Sequence, residues 1–137
     1  MPGKTFIDSN IFIYAKIEQP GSHNHELARK FLKELEGEII ISIQVLNEFY
    51  NVLGKYKIAD ITIQENINDI LKDVILETIT FDTIKSCWEI KTRYKYSYYD
   101  SLIIASALEN DCSVLYTEDM HHEQLIEKKL KIINPFL

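Results

Sequence analysis

Four carboxylates stand at or near the ends of the most regular segments of this 137-residue chain: Asp8, Glu48, Asp100 and Asp119. Acids that share one cleft cannot all stay ionised without a counter-charge. Oxygen ligands of this kind suit Mg²⁺ or Mn²⁺, whereas a zinc site would be expected to use His or Cys. The pattern therefore indicates a divalent-metal centre, and hydrolysis of phosphodiesters is chemistry that such a centre performs.

Each of these acids also has a purely structural interpretation, which for Asp119 is a turn residue before a capped helix. Asp8 and Asp100 stand where a helix is predicted to begin, so each could be an N-cap. Glu48 lies on the edge of an apolar helical stripe, where an ionised side chain is costly unless it is paired, bound to metal or extended to solvent. No single acid decides the matter. The argument depends on two strand ends and two helix positions that can face one edge of the same sheet.

The fourth acid has a competitor next to it in the sequence. Asp119 follows a predicted strand, and Glu118 immediately precedes it. In an extended segment side chains alternate between faces, so Asp119 would share a face with Thr117. We therefore choose Asp119 as the fourth member and leave Glu118 as the alternative.

Composition predicts one ordinary domain over residues 1–137. Hydrophobic residues make up 46% and charged residues 26% of the chain, which is enough for a real core. Neither a long apolar run nor an export signal is visible, so we expect a cytoplasmic protein that does not cross a membrane. Cys87 and Cys112 form no metal-binding or disulfide pattern.

The net charge of −6 is unusual for a protein that binds nucleic acid. Bound metal would offset part of it. The basic residues also cluster into two groups, which are Lys91, Arg93 and Lys95, and Lys128, Lys129 and Lys131.

Alternation of short apolar segments with helical stripes predicts a mainly parallel sheet with crossover helices. The predicted strands cover 4–8, 38–41, 75–80, 113–117 and 130–133. The predicted helices cover 11–15, about 27–35, 43–56, 62–74, a segment after a cap at Asp82, and 100–108. We also predict a capping box of Thr62 with Glu65, and a short helix around Leu125.

Four segments in this order resemble the PIN-domain family, and within it the VapC-type toxin ribonucleases. They are FIDSN at 6–10, SIQVLNEF at 42–49, YDSLIIASA at 99–107 and LYTEDM at 115–120. The final INPF at 133–136 is also similar to the usual end of such proteins. The resemblance covers nearly the whole chain.

The resemblance implies a fold and a set of roles. The fold would be an α/β three-layer sandwich with a central, mainly parallel sheet. The four acids would form the catalytic centre that holds Mg²⁺ or Mn²⁺, and Thr117 would support it by hydrogen bonding. Ser9 or Asn10 would help to position Asp8 or the scissile phosphate. Family members are typically dimers, and the toxins are usually held inactive by a small antitoxin protein.

The expected function is hydrolytic cleavage of RNA by metal-activated water, leaving a 3′-hydroxyl and a 5′-phosphate, as the toxin of a type II toxin–antitoxin pair. One alternative is a housekeeping nuclease that processes RNA or acts on structured DNA. Another is a nuclease-like fold used only for binding, which the presence of all four acids disfavours. A nucleotide-binding domain is disfavoured because no GxGxxG or GxxxxGK[ST] sequence is present.

A run of bases and aromatics, 91–99, directly precedes Asp100. Single-stranded RNA is often held by charge together with stacking on aromatic rings. This makes Lys95 and Tyr96 candidates for substrate binding. The alternative, which we weigh slightly higher, is that the tyrosines pack in the core or in a dimer interface.

Overall fold

Short apolar segments separated by helices form one six-stranded sheet in the computed structural model, which describes residues 3–137. The strands are β1 (Thr5–Ile7), β2 (Ile39–Ser42), β3 (Ile75–Glu77), β4 (Val114–Tyr116), β5 (Leu125–Ile126) and β6 (Leu130–Ile133). The helices are α1 (Ser9–Lys16), α2 (Asn24–Glu34), α3 (Ile43–Lys55), α4 (Asp60–Leu71), α5 (Phe81–Tyr94) and α6 (Tyr98–Glu109).

The strand order is β3-β2-β1-β4-β6-β5, and every neighbouring pair is parallel except β5 with β6. The prediction of a mainly parallel α/β fold is therefore confirmed. β1 lies between β2 and β4, with Phe6 opposite Ile40 on one side and Leu115 on the other. Because the chain runs from β1 to β2 on one side and returns to β4 on the other, a crevice is expected at the carboxyl end of β1.

Burial explains why these segments adopt their structures. All three residues of β1 are buried, as are most of those in β2, and continuous apolar runs are typical of parallel strands covered on both faces. Helix α6 is buried at every position from Ser101 to Ala107, which identifies it as a central helix of the core. The start of α6 is consequently held rigidly against the sheet. None of the helices in residues 3–137 has the length and apolar character needed to cross a membrane.

The prediction of a helix around Leu125 is wrong. Leu125 and Ile126 form β5, which pairs antiparallel with β6. The turn between β5 and β6 places Glu127 and Lys128 at φ 52° and 59°. Both central residues of a type I′ hairpin turn have positive φ, and this turn normally carries Asn or Gly. The usual sequence signal for a hairpin is therefore missing.

Two cap assignments are also wrong, and so is the N-cap alternative for Asp100. Helix α4 begins at Asp60 after Ala59, and no side chain caps it, so Thr62 lies inside the helix. Helix α5 is capped by Thr80, which forms a capping box with Thr83, so Asp82 lies in its first turn. Helix α6 is capped by Ser97, whose hydroxyl accepts from the backbone N–H of Asp100 at 3.2 Å. Asp100 is therefore not an N-cap, although its carboxylate hydrogen bonds with the Ser97 side chain, which partly offsets the rise that burial causes in its pKa.

Candidate metal centre

The ends of β1 and β4 lie side by side and bring the first two site residues together. The backbone N–H of Asp8 donates to the carbonyl of Tyr116 at 3.0 Å, and Thr117 N–H donates to Ile133 at 3.0 Å. Asp8 and Thr117 thus follow directly after neighbouring parallel strands, at the crevice that the topology predicts.

Asp8 has the capping role that the sequence allowed. It is only 4% exposed, and it caps α1 through Oδ1, which accepts from the N–H of Ser9 at 2.7 Å. Its other oxygen, Oδ2, accepts from the hydroxyl of Thr117 at 2.8 Å. Two hydrogen bonds therefore fix the orientation of the Asp8 carboxylate at the crevice, near the other acids.

Thr117 is fully buried and links three residues of the site. Its Oγ1 donates to Asp8, accepts from the N–H of Asp119 at 3.1 Å, and accepts from Nδ2 of Asn10 at 3.3 Å. One hydroxyl thus joins the first and fourth acids.

Asn10 and Ser9 have distinct positions. Asn10 donates through Nδ2 to Oδ2 of Asp119 at 2.8 Å, and its Oδ1 accepts from the N–H of Glu118 at 3.4 Å. Asn10 therefore orients Asp119. Ser9 donates through its hydroxyl to Oε1 of Glu48 at 3.2 Å, so it connects α1 with α3.

The structure also separates Asp119 from its competitor. The charge of Asp119 raises the pKa of Asp8, Glu48 and Asp100 alike. Glu118 instead hydrogen bonds with the hydroxyl of Tyr14, whose pKa is raised by burial and then by this contact. This placement favours Asp119 as the fourth acid.

Glu48 and Asp100 are held by two helices that meet at the crevice. Nε2 of Gln44, one helical turn before Glu48, donates to the carbonyl of Tyr99 at 3.0 Å, which ties α3 to the start of α6. Both acids are half-buried. The link through Gln44 was missed by the sequence analysis, although its i, i+4 spacing from Glu48 places the two on one helix face.

Burial raises the pKa of Asp8 to about 7, and the charges of Glu48 and Asp119 add to the rise. The hydrogen bonds from Thr117 and Ser9 oppose it. Burial likewise raises the pKa of Glu48, with the charges of Asp100 and Asp119 contributing. The pKa of Asp100 is raised by burial and by Asp119. Each of these pKa values is thus affected by at least one other member of the group, so the four acids share one electrostatic environment.

The donor set fits a hard divalent cation. Carboxylate oxygens are the ligands that Mg²⁺ and Mn²⁺ prefer, and no Lys, Arg or His is among the groups that shift the pKa of Asp8, Glu48 or Asp100. Within residues 3–137, no three His, Cys, Asp or Glu side chains form a ready-made group around a metal position. Asp8, Glu48 and Asp119 instead hydrogen bond to Ser9, Asn10 and Thr117. Ligation by three or more of the acids would therefore require side-chain movement away from these hydrogen-bonded positions.

Lys95 and Tyr96, the two substrate candidates from the run of bases and aromatics, have different settings. Lys95 is exposed in a left-handed conformation, φ 64°, at the C-cap of α5. Tyr96 is half-buried, packs against the core, and its hydroxyl contacts Gln124 and accepts from the N–H of His121 at 3.0 Å. Tyr96 thus has a packing role, and Lys95 is free of such contacts in the part of the chain described.

The fold and the site together define an α/β domain with an acidic centre at the carboxyl edge of a parallel sheet. The chain belongs to the PIN-domain family, whose model matches residues 5–128. Comparison with curated proteins gave no match.

Solved structures with the same fold include a toxin and a toxin–antitoxin complex. The sarcin–ricin-loop-cleaving toxin VapC20 of Mycobacterium tuberculosis is 19% identical, with a TM-score of 0.69 over 84% of this chain and 91% of that one. A toxin–antitoxin complex from Klebsiella pneumoniae is 18% identical, with a TM-score of 0.72 over 96% and 97%. VapBC2 of Rickettsia felis, bound to a fragment of promoter DNA, is 20% identical, with a TM-score of 0.62 over 96% and 99%.

Proposed function

We propose that this protein is a Mg²⁺- or Mn²⁺-dependent endoribonuclease and the toxin of a type II toxin–antitoxin pair. The observation that carries the proposal is the gathering of acids at the carboxyl edge of the sheet: the charges of neighbouring acids raise the pKa values of Asp8, Glu48 and Asp100, and no cationic side chain is among the groups that shift them. A structural role alone gives no reason to bring four acids together at a cost in repulsion.

The residues of the centre have different proposed roles. Asp8, Glu48, Asp100 and Asp119 would hold the ion. Thr117 and Asn10 fix the orientation of Asp8 and Asp119, and Ser9 links Asp8 with Glu48. The chemistry that a divalent ion supplies in such a centre is activation of water and stabilisation of negative charge on the phosphate.

The toxin role is supported by the family and by the fold neighbours. The M. tuberculosis neighbour cleaves the sarcin–ricin loop, and the K. pneumoniae neighbour is a complex of toxin with antitoxin. We propose that this protein likewise acts on RNA, binds a small antitoxin protein and forms a homodimer. A housekeeping RNA-processing nuclease is the alternative with the same chemistry. Inducible expression in a bacterium separates the two, since a toxin arrests growth and its Asp8→Asn variant does not.

The proposed activity is tested by incubating purified protein with RNA and Mg²⁺ or Mn²⁺. Cleavage is expected with either ion or both, and EDTA abolishes it. Asp8→Asn and Asp100→Asn should lose about 100-fold or more in rate, since each removes a ligand charge. Cleavage that persists in EDTA, or in both variants, would defeat the proposal.

A matched control is available in Asp111→Asn. Asp111 is exposed and follows the far end of α6, a 12-residue helix about 18 Å long that begins beside Asp100. Its φ is 58°, a conformation that Asn tolerates well. This variant carries the same chemical change away from the centre, and it should cleave RNA at the wild-type rate.

A further inference from the structure

A cleft of about 420 Å³ opens between the start of α3 and the start of α6. Its lining includes Glu48, so the cleft is continuous with the acidic centre. Its volume falls in the range of roughly 300 to 1,000 Å³ that small-molecule sites occupy. A second cleft of about 440 Å³, next to Phe12 and Leu32, contains none of the four acids.

The walls of the cleft are mainly apolar and include one exposed aromatic ring. Ile79 and Leu102 line it together with Tyr99, which is 65% exposed. Glu48 lines the same cleft, so the ring of Tyr99 stands near this acid. Exposed aromatic rings next to a phosphate-processing site are the surfaces on which unpaired nucleobases stack.

Gln44 also lines this cleft and carries a buried polar atom. The side chain of Gln44 is 7% exposed, and its Oε1 is buried with no hydrogen-bond partner. The orientation of the amide is fixed, because its Nε2 donates to the carbonyl of Tyr99, which can only accept. Oε1 is therefore an acceptor that lacks a donor, and a buried acceptor of this kind is costly unless a ligand or water supplies one.

The polar part of the lining continues along α3. Asn47 and Asn51 are exposed, stand one helical turn apart on the same helix face, and line the cleft. Carboxamide side chains read the donor and acceptor edges of nucleobases. The lining thus combines a stacking surface with neutral hydrogen-bonding groups, and Glu48 is the only charged residue in it.

We propose that this cleft binds an unpaired nucleobase of the RNA substrate, adjacent to the phosphate at the acidic centre. Tyr99 stacks on the base, Oε1 of Gln44 accepts an N–H of the base edge, and Asn47 and Asn51 contribute to the choice of base. This assignment rests on the proposed ribonuclease function and specifies how that site selects its substrate.

Steady-state cleavage of short RNA oligonucleotides tests the stacking role. Tyr99→Ala should lower kcat/KM by about 5- to 100-fold, chiefly through KM, because stacking on an aromatic side chain is lost. Tyr99→Phe keeps the ring and should stay within about twofold of wild type. Tyr56→Ala removes another exposed tyrosine, outside the cleft at the C-cap of α3, and should leave KM unchanged.

Gln44→Met tests the acceptor, with thermal melting as a check on folding. The variant should cleave beside several different bases, whereas wild type should cleave preferentially beside one. If this variant does not fold, the substrate provides the test. Replacing adenosine by purine riboside or guanosine by inosine beside the cut removes one amino donor, and one of these replacements should reduce wild-type kcat/KM by about tenfold.

Photocrosslinking locates the base without requiring cleavage. Asp8→Asn protein with Mg²⁺ is irradiated with bromouridine-substituted RNA, and the crosslinked peptide is mapped by mass spectrometry. The expected crosslink lies at Tyr99 or in residues 43–51. A crosslink confined to other segments would overturn the proposal, and so would an unchanged KM and cleavage pattern in Tyr99→Ala.

The failure of this inference is distinct from the failure of the proposed function. If wild type cuts RNA while Tyr99→Ala keeps the wild-type KM and base preference, only the cleft assignment is wrong. If wild type cuts no RNA but the crosslink lies at Tyr99, the base site stands and the nuclease proposal fails. If Tyr99→Ala converts a dimer to monomers in sedimentation and no base crosslinks there, the cleft is a protein–protein contact and the proposal is wrong.

Discussion

At the scale of single residues, Asp8 is the acid whose environment differs most from water. Its pKa is about 7 in the folded protein, compared with the ordinary value of 3.8 in an unfolded chain. Between these two values the folded state binds more protons than the unfolded state, so stability falls as pH rises across this window. Below 3.8 both states are protonated and the effect is constant.

This linkage predicts how the metal-free protein melts. In EDTA, wild type should melt at a lower temperature at pH 7.5 than at pH 5. The free energy of unfolding should differ by a few kcal/mol at most, since one pKa unit corresponds to about 1.4 kcal/mol. Asp8→Asn should reduce the difference and be more stable than wild type at pH 7.5. Glu48 and Asp100 would maintain part of the slope, because their pKa values are raised as well. Differential scanning calorimetry at the two pH values measures both effects. A wild-type stability that rises from pH 5 to 7.5 would contradict this account of Asp8.

Thr117 is the hydroxyl on which the geometry of the centre depends. Thr117→Val removes the donor to Asp8 and the acceptor for Asp119, and should cost about 1 to 3 kcal/mol of stability in urea unfolding. The pKa of Asp8 should rise further, because the Thr117 hydrogen bond lowers it. The acidic limb of the pH–rate profile should therefore move to higher pH. Thr117→Ser retains the hydroxyl and should keep the wild-type profile, whereas an equal shift in both variants would exclude the hydrogen bond as the cause.

At the scale of elements, two helix caps have different consequences for the site. Ser97 caps α6 and bonds to the backbone of Asp100, while Thr80 caps α5 and its partner Thr83 bonds to Glu109 at the opposite end of α6. Ser97→Ala and Thr80→Ala should each destabilise the protein by about 1 kcal/mol. Only Ser97→Ala should also reduce cleavage, because it loosens the turn that carries Asp100. Equal activity in the two variants at a temperature where both are folded would show that the cap does not position the acid.

The sequence predicted the elements wherever local pattern and tertiary packing agree. The strand before Asp8 and the buried helix after Asp100 are continuous apolar segments, so their presence follows from composition. The hairpin β5–β6 could not be foreseen, since Glu127 and Lys128 take positive φ without glycine. Tertiary contacts support this turn: Arg93 and the hydroxyl of Tyr94 bond to the Glu127 carboxylate, and Tyr94 Oη accepts from Glu127 N–H at 2.9 Å.

The candidate site was predictable to a similar degree. The acids could be selected because strand ends and helix faces converge in a parallel sheet. Residues that act by contact, such as Gln44 and Ser97, carry no signal of their own in the sequence. Their roles depend on which backbone group lies opposite, and this is fixed only when the helices pack.

At the scale of the whole molecule, a net charge of −6 requires local positive charge for RNA to approach. Arg93 is paired with Glu127, whereas Lys95 projects from the C-cap of α5. Lys95→Asn should weaken RNA binding for all sequences and reduce the slope of log K against log salt by about 0.7. Lys57→Asn is the matched control, because Lys57 is also exposed and has φ 62°. Fluorescence anisotropy over a salt series makes the comparison, and identical slopes would exclude Lys95 from the RNA surface.

Direct binding of Mn²⁺ tests most directly whether the four acids form one metal centre. Isothermal titration calorimetry on the wild-type protein should detect binding that Asp8→Asn and Glu48→Gln each weaken by at least about tenfold, while Asp111→Asn binds as wild type does. Equal Mn²⁺ affinity in wild type, Asp8→Asn and Glu48→Gln would contradict the account, because the acids would then be gathered for some purpose other than holding a metal ion.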